Sequence, residues 1–185
     1  MPAPSGRAYH HPVIITRPIR LPSDATAVDA LDRTYTTTTG YELRRSAAAD
    51  GHRAVELVGP MEIAPVTKRY EMTPRDGGLV ARRAGAVIGY AHVEYVDWNR
   101  RAEIGDFYVA ASARRTGVGR ALMTAVERRA GRTRARCLWL ETQNVNGPAI
   151  AFYLHQGFAL CGFDETLYDP AVHPGEVALF FSRPL

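Results

Sequence analysis

Residues 109–123, VAASARRTGVGRALM, carry the strongest structural signal in the chain. Their first residues close an apolar strand. From Val118 the apolar residues recur at i, i+3, i+4, i+7 and i+8, which predicts an amphipathic helix ending near Gly131. The turn between strand and helix contains Gly117 and Gly119. Such a turn presents unpaired backbone N–H groups at the positive end of a helix, and glycine lets a phosphate approach them closely. The stretch therefore predicts a phosphate-binding loop.

Three kinds of phosphate-binding loop can be compared with this segment. A nucleotide P-loop requires Gly-Lys-Ser/Thr, but Gly119 is followed by Arg120-Ala121. A dinucleotide fingerprint requires a third glycine, where the chain has Leu122. The pattern Arg/Gln-x-x-Gly-x-Gly/Ala is matched in full by residues 114–119, and it resembles the acetyl-CoA loop of the GNAT acetyltransferase superfamily. A plain strand-to-helix turn with surface arginines is the alternative interpretation.

A second motif, residues 146–158, NGPAIAFYLHQGF, resembles the GNAT pattern Asn-x-x-Ala-x-x-Phe-Tyr-x-x-x-Gly-Phe. Alone, Asn146 would be an ordinary helix cap and Tyr153 a packed aromatic residue. Because both motifs occur in the family's order, the chain is identified as a member of the GNAT superfamily. The resemblance implies a V-shaped mixed sheet flanked by helices. It also implies that the strand ending at Val109 parts from the strand ending near Glu141, with the pantetheine arm of acetyl-CoA in the gap.

The rest of the chain mixes strand and helix patterns, which predicts an α/β class, or α+β with a mixed sheet. Capping residues Ser23 and Asp24 predict a helix to about Arg33, and a second helix runs from Asn146 or Pro148 to Gly157. Residues 35–40 are expected to be a loop or short extended segment. Between residues 47 and 75 only two short strands are expected, at 55–58 and 67–71. The remaining strands are predicted at 13–20, 79–83, 86–95, 103–109, 137–140, 158–163 and 177–182.

Composition favours one globular domain over residues 13–185, preceded by a loose, flexible tail at residues 1–12. The 185 residues are 46% hydrophobic and 23% charged, and no apolar run is long enough for a signal peptide or membrane span, so we expect a cytoplasmic protein. The formal net charge is +4, but the arginines are scattered, so no nucleic-acid partner is expected. Cys137 and Cys161 are interpreted as buried apolar residues, and no metal-ligand spacing occurs. The apolar stretch 177–182 is consistent with a homodimer formed through the C-terminal strands.

The family resemblance implies direct attack of a neutral amine on the acetyl thioester. Tyr153 would protonate the leaving sulfur, and the backbone N–H near Val109 would stabilise the oxyanion. Glu103 is the candidate base, because Gly105 stands where other members carry a carboxylate and we expect both residues on one strand face. Asp106, expected on the opposite face, is a base or a structural carboxylate. The residues implied to bind acetyl-CoA are Phe107, Tyr108, Val109, Arg114, Arg115, Thr116, Gly117, Val118, Gly119, Arg120, Asn146, Ala149 and Tyr153.

Further stretches resemble the streptothricin (nourseothricin) acetyltransferases: LDRTYTT at 31–37, WNRR at 98–101, LWLE at 138–141, LCG at 160–162 and LYD at 167–169. The resemblance implies acetylation of the β-lysine amine of such a cationic antibiotic, which would confer resistance. The chain lacks an acidic insertion at 47–75 and has Arg115 in place of a loop glycine. A protein-amine acetyltransferase and a non-catalytic acyl-CoA-binding module remain alternatives. The implied substrate-binding residues are Asp32, Tyr35, Thr36, Glu94, Trp98, Asp106 and Glu141.

Overall fold

The computed structural model describes residues 13–47, 51 and 53–185, so the expected tail at 1–12 lies outside the described residues. One short 3₁₀ turn occurs at Ala111–Ala113. The helices are α1 (Ala25–Asp29), α2 (Val118–Ala130) and α3 (Gly147–His155). The strands are β1 (Ile15–Pro18), β2 (Thr34–Ala47), β3 (Arg53–Arg69), β4 (Gly78–Arg83), β5 (Ala86–Val96), β6 (Arg101–Val109), β7 (Cys137–Gln143), β8 (Ala159–Asp164) and β9 (Ala178–Pro184).

Seven strands form a mixed sheet in the order β1-β4-β5-β6-β7-β9-β8, which confirms the predicted α+β class. The pair β6–β7 is parallel because α2 makes a crossover between these strands, and the other pairs are antiparallel. The apolar stripe predicted for α2 packs on the sheet, with Leu122, Met123 and Val126 fully buried. Burial of this stripe positions the N-terminus of α2 beside the end of β6.

The sheet opens between β6 and β7. Their pairing runs only from Arg101↔Cys137 to Ile104↔Leu140. Beyond these pairs, residues 105–109 of β6 and 141–143 of β7 are not in register with each other, whereas β6 stays paired with β5 and β7 with β9. The parted strands that the family resemblance implied are therefore present, and they leave a gap at the carboxyl ends of both strands.

A separate two-stranded hairpin, β2–β3, corrects the prediction for residues 35–75. Two long strands replace the expected loop and short strands. The Thr run is suited to a strand because threonine is β-branched, and the hydroxyls of Thr36 and Thr67 lie 2.8 Å apart across the pair. The hairpin contacts the main body at the start of α3, where the Tyr41 N–H donates to the Asn144 carbonyl at 2.9 Å. The contact requires glycine at residue 147, because a Cβ there would lie 2.3 Å from the Thr39 carbonyl oxygen of the hairpin.

Two smaller expectations are corrected by the structure. Helix α1 ends at Asp29, and Asp24 makes no side-chain cap bond because its carboxylate accepts from Arg17 and from the Arg20 backbone. Cys137 is buried as predicted, but Cys161 is exposed because β8 is an edge strand. Both edges of β9 are paired within the chain, with β7 and β8, and the homodimer stays a prediction.

No helix within the described parts of the chain has the length and apolar character needed to cross a bilayer.

Candidate active site

A cleft of about 1140 Å³ lies where β6 and β7 part. One end is formed by the turn before α2, and the other, called the acceptor end below, by the end of β7 and Tyr168. Residues of the hairpin also line the cleft. The cleft thus joins the predicted phosphate loop to the parted strands. Its lining residues from the sequence analysis are Tyr35, Thr36, Phe107, Tyr108, Val109, Arg114, Arg115, Gly117, Gly119, Arg120, Glu141, Asn146, Ala149 and Tyr153.

The turn before α2 has the geometry of an anion-binding loop. Gly117 caps the helix with a φ of 87°, a left-handed conformation that favours glycine. The first bond within the helix runs from the Ala121 N–H to the Gly117 carbonyl, so the N–H groups of residues 118–120 have no partner in the preceding turn. They open beside Arg115 and Arg120, which also line the cleft. The positive helix end and the two guanidinium groups fit a pyrophosphate.

Three other residues of this loop have their side chains engaged elsewhere. The Arg114 guanidinium donates to the carbonyl oxygens of Val109 at 3.2 Å and Thr34 at 2.6 Å. The Thr116 hydroxyl donates to the Ala113 carbonyl at 2.7 Å, and Val118 is buried in the core. Neither Thr116 nor Val118 is among the residues lining the cleft. Any contact of Thr116 or Val118 with a phosphate therefore involves the backbone.

The end of β6 directs polar backbone groups into the gap. The Ala110 N–H donates to the Ile88 carbonyl of β5 at 3.0 Å. Because successive residues of a strand point their backbone groups to opposite sides, the N–H of Val109 faces away from β5. The same side carries the Val109 carbonyl, which accepts from Arg114. The Val109 N–H therefore points toward β7, where no strand is in register with it.

Tyr153 reaches the gap from α3. The helix is capped by Asn146, whose side chain accepts from the Ala149 N–H at 3.3 Å. The Tyr153 ring packs edge-on against Phe107, Phe152 and Phe158, and the residue is 7% exposed. Burial raises the pKa of Tyr153 well above its usual value, and Tyr108 and Glu141 raise it further. The hydroxyl is therefore protonated at neutral pH and can donate a proton.

Glu141 lies on β7, one residue beyond the last pair with β6. Its half-buried carboxylate lines the cleft and accepts a hydrogen bond from the Tyr168 hydroxyl at 2.5 Å. Burial raises the pKa of Glu141, and this effect is opposed by the Tyr168 hydrogen bond and by the charge of Lys68. A carboxylate whose pKa is raised is better suited to accept a proton from an amine than one with an ordinary pKa.

Three tyrosines, from β2, from the residue after β3 and from β6, form a row along the cleft. Tyr35 of β2 stacks on Tyr70 with ring centroids 5.8 Å apart, and Tyr70 lies 6.0 Å from Tyr108 of β6. The Tyr70 hydroxyl contacts the Gln143 side-chain oxygen across the end of β7. Aromatic faces beside a carboxylate suit a cationic ammonium group.

Several residues at this end of the cleft were not predicted from the sequence, among them Arg33, Tyr70, Gln143 and Tyr168. A signal existed only for Arg33 and Tyr168, which lie in the quoted stretches LDRTYTT and LYD. Tyr70 and Gln143 have no sequence motif around them, and the hairpin and β7 bring them together.

Glu103 and Asp106 are not among the residues lining the cleft, and the expectation that they point in opposite directions is wrong. The register of β5 with β6 passes from His92↔Asp106 to Val93↔Ile104, so Gly105 is an extra residue on β6. This bulge places Asp106 on the face that carries Glu103. The Asp106 carboxylate is buried and accepts from Arg75 at 2.7 Å. The ion pair with Arg75 favours the structural interpretation of Asp106 over a role as base.

Three predicted substrate contacts also lie outside the cleft lining. Trp98 is 86% exposed in the turn between β5 and β6. Glu94 lines a different cavity of about 450 Å³. Asp32 is exposed, and its carboxylate accepts from the Thr34 N–H at 3.0 Å. Of the predicted substrate contacts, Tyr35, Thr36 and Glu141 line the cleft.

A parted mixed sheet with an anion-binding turn and a tyrosine in the gap defines an acyl-CoA-dependent transferase site. Residues 44–158 match the Acetyltransferase (GNAT) family. The chain belongs to this family, whose acetyl donor is acetyl-CoA.

Similar proteins extend the likeness over nearly the whole chain. The streptothricin acetyltransferase of Streptomyces lavendulae is 38% identical over 88% of this chain and 91% of that protein. A crystal structure of nourseothricin acetyltransferase is 40% identical, with a TM-score of 0.73 over 92% of this chain and 98% of that chain. A putative streptothricin acetyltransferase from Bacillus anthracis, solved with acetyl coenzyme A, has a TM-score of 0.78 over 94% of this chain and all of that one. At 22% identity, it supports the fold alone.

Proposed function

We propose that this enzyme transfers the acetyl group of acetyl-CoA to the β-lysine amine of a streptothricin-type antibiotic and so confers resistance to it. The observation that carries the proposal is the half-buried Glu141 carboxylate, which lies beside a row of tyrosines at the acceptor end of the cleft. A carboxylate among aromatic faces favours a cationic amine. The near full-length similarity to a streptothricin acetyltransferase supports the choice among cationic amines.

Acetyl-CoA supplies an activated thioester when it is bound. The residues that would hold its pyrophosphate are the backbone N–H groups of 118–120 with Arg115 and Arg120. The backbone groups of residues 105–109 that face away from β5, and so lack a strand partner on the β7 side, would hold the pantetheine arm. Each of these groups lines or opens into the same cleft, so the residues fit the cofactor.

The proton steps are assigned to two side chains of the gap. Glu141 accepts the proton that the ammonium must lose before nitrogen attacks the acetyl carbon. The Val109 N–H donates to the acetyl oxygen as negative charge develops there. Tyr153 gives its proton to the sulfur as the carbon–sulfur bond breaks, and its raised pKa keeps that proton available. The nitrogen–carbon bond thus replaces the carbon–sulfur bond. The second proton that the nitrogen loses restores the Tyr153 hydroxyl, so the step leaves the amide, the free thiol and one proton on Glu141.

Glu141 takes the place of Glu103 as the proposed base. Glu103 is paired with Glu94 and Trp139 in the closed part of the sheet, where β6 and β7 are still in register. Glu141 lies at the first position beyond that register, and its charge raises the pKa of Tyr153. We expect Glu141→Gln to lower kcat by about 10²- to 10⁴-fold, the usual effect of losing a base, and Glu103→Gln to lower it much less.

The substrate is tested with purified enzyme, acetyl-CoA and a panel of amines, with release of free thiol as the readout. Streptothricin should have a far higher kcat/KM than simple polyamines or lysine peptides, and mass spectrometry should show one added acetyl group. Efficient acetylation of peptides without turnover of streptothricin would instead establish a protein-amine acetyltransferase. Binding of acetyl-CoA without thiol release for any amine would indicate a non-catalytic module.

A further inference from the structure

Tyr168 comes from a segment that returns over the acceptor end of the cleft. The segment lies between β8 and β9, and the Tyr168 hydroxyl donates to a carboxylate oxygen of Glu141 at 2.5 Å. The segment is held in place by contacts on the C-terminal side of Tyr168. The Asn144 side chain accepts from the Val177 N–H at 2.8 Å, and the Tyr168 ring packs edge-on against His173, with ring centroids 5.8 Å apart. The position of the hydroxyl is thus set by the fold of the segment.

We propose that Tyr168 is a positioning residue for the proton acceptor of the reaction, and that its hydroxyl fixes the Glu141 carboxylate facing the gap between β6 and β7. This inference rests on the proposed function, in which Glu141 is the base. The hydrogen bond occupies Oε1 of Glu141. Because a carboxylate has two oxygens, one fixed oxygen leaves Oε2 as the acceptor for the amine proton. Rotation of the carboxylate about its last bond is restricted as a result.

A tyrosine hydroxyl suits this task better than a cationic donor. A cationic side chain bonded to Glu141 would cancel the charge that attracts an ammonium group. A neutral hydroxyl orients the carboxylate without removing its charge. It also favours the ionised form, and so limits how far burial raises the pKa of Glu141.

The other ionisable groups near Glu141 come from three elements. Lys68 of β3 lowers the pKa of Glu141, although its ammonium group is already paired with Glu176. Tyr153 of α3 has its pKa raised by the charge of Glu141. Glu176 belongs to the same segment as Tyr168 and also raises the pKa of that tyrosine. Of the two groups that lower the pKa of Glu141, Tyr168 has the larger effect and is bonded to it directly.

The test is the pH profile of Tyr168→Phe, which keeps the ring and removes the hydroxyl. Activity should rise with pH as Glu141 loses its proton. In Tyr168→Phe this rise should move to higher pH by about half a unit to one unit, and kcat should fall about tenfold, the usual effect of losing a hydrogen bond to a charged group. The KM for acetyl-CoA should stay within about twofold, since the hydroxyl lies at the other end of the cleft. A ¹³C-NMR titration of the Glu141 carboxyl group should show the same upward shift without turnover.

Tyr95→Phe is the matched control. The Tyr95 hydroxyl also donates to a carboxylate, that of Asp97 at 3.1 Å, but it lies outside the cleft lining. Its pH profile and kcat should match those of the wild type. Equal pH profiles and Glu141 titrations in Tyr168→Phe and wild type would overturn the positioning role, as would a change confined to the KM of the amine.

The wild-type amine panel tests the proposed function separately. If another amine is preferred, the pH profiles are measured with that amine, and the same shift of the Tyr168→Phe profile tests the positioning role. If Glu141→Gln retains wild-type kcat, both the base and its positioning residue are wrong. Absence of turnover with every amine would overturn both proposals.

Discussion

The Arg114 guanidinium donates a hydrogen bond to the carbonyl oxygen of Thr34 at 2.6 Å. Arg114 belongs to the turn before α2, and Thr34 is the first residue of β2. A second bond runs from Arg114 to the Val109 carbonyl at the end of β6. One side chain therefore joins the loop proposed to bind phosphate, the end of the parted strand and the hairpin that carries Tyr35.

Arg114→Lys should weaken binding of both substrates. Lysine keeps the positive charge but cannot reach two carbonyl oxygens with the planar geometry of a guanidinium group. We expect the KM for acetyl-CoA and the KM for the amine each to rise severalfold in steady-state measurements. Arg115→Lys is the control, because Arg115 lines the cofactor end and should affect the KM for acetyl-CoA alone. If only the KM for acetyl-CoA rises in both variants, Arg114 does not connect the cofactor loop to the amine site.

Gly119→Leu should strongly raise the KM for acetyl-CoA. A Cβ at Gly119 would lie 3.1 Å from the Phe152 ring, so a larger side chain displaces Phe152 or enters the cleft. Gly119→Ala is the graded control and should raise this KM less. An unchanged constant in Gly119→Leu would exclude the turn as the pyrophosphate site.

Tyr153→Phe should lower kcat by about 10²- to 10⁴-fold, because the ring packing is kept and the proton donor is lost. Thiol release at saturating substrates measures the effect. Tyr41→Phe is a matched control, since Tyr41 is also a buried tyrosine but does not line the cleft. Wild-type turnover in Tyr153→Phe would mean that the ring only packs.

Asp24→Asn should destabilise the protein by about 2 kcal/mol at pH 7. The buried Asp24 carboxylate is paired with Arg17 at 2.6 Å, which lowers its pKa to about 2. A lowered pKa means that the stabilisation is present above about pH 4 and is lost as the pH falls toward 2. Urea denaturation should show the two proteins converging at low pH. Asp29→Asn, at an exposed position of α1, should leave the unfolding free energy unchanged, and an equal loss in both variants would contradict the assignment to the ion pair.

The cofactor end of the cleft was predictable because its residues are close in sequence. The strand, turn and helix around Gly117 follow from local periodicity and glycine placement, and all three are present. The acceptor end depends on pairing between distant residues, such as Tyr70 with Gln143 and Tyr168 with Glu141. No local pattern encodes such contacts.

The faces of β6 were mispredicted for a related reason. Strict alternation along the strand assumes a regular register, and the bulge at Gly105 shifts every later side chain by one position. The choice of Glu103 as base came from this assumption and from the family spacing. Glu141 was expected beside the gap only as a substrate contact, and the register between β6 and β7 places it directly after the last paired residue.

The short parallel seam from Arg101↔Cys137 to Ile104↔Leu140 has a thermodynamic consequence. It is the only strand pairing in the described chain that holds β1, β4, β5 and β6 to β7, β9 and β8. A ligand bonded to both open strands would extend this seam and act as a missing strand. Its binding free energy would then add to the resistance of the two half-sheets to separation, by about 2.7 kcal/mol at a ligand concentration one hundred times Kd. Hydrogen exchange at the inner edges of β6 and β7 should therefore slow as the cofactor concentration rises. The stability of this sheet in the cell would then depend on the cellular concentration of acetyl-CoA.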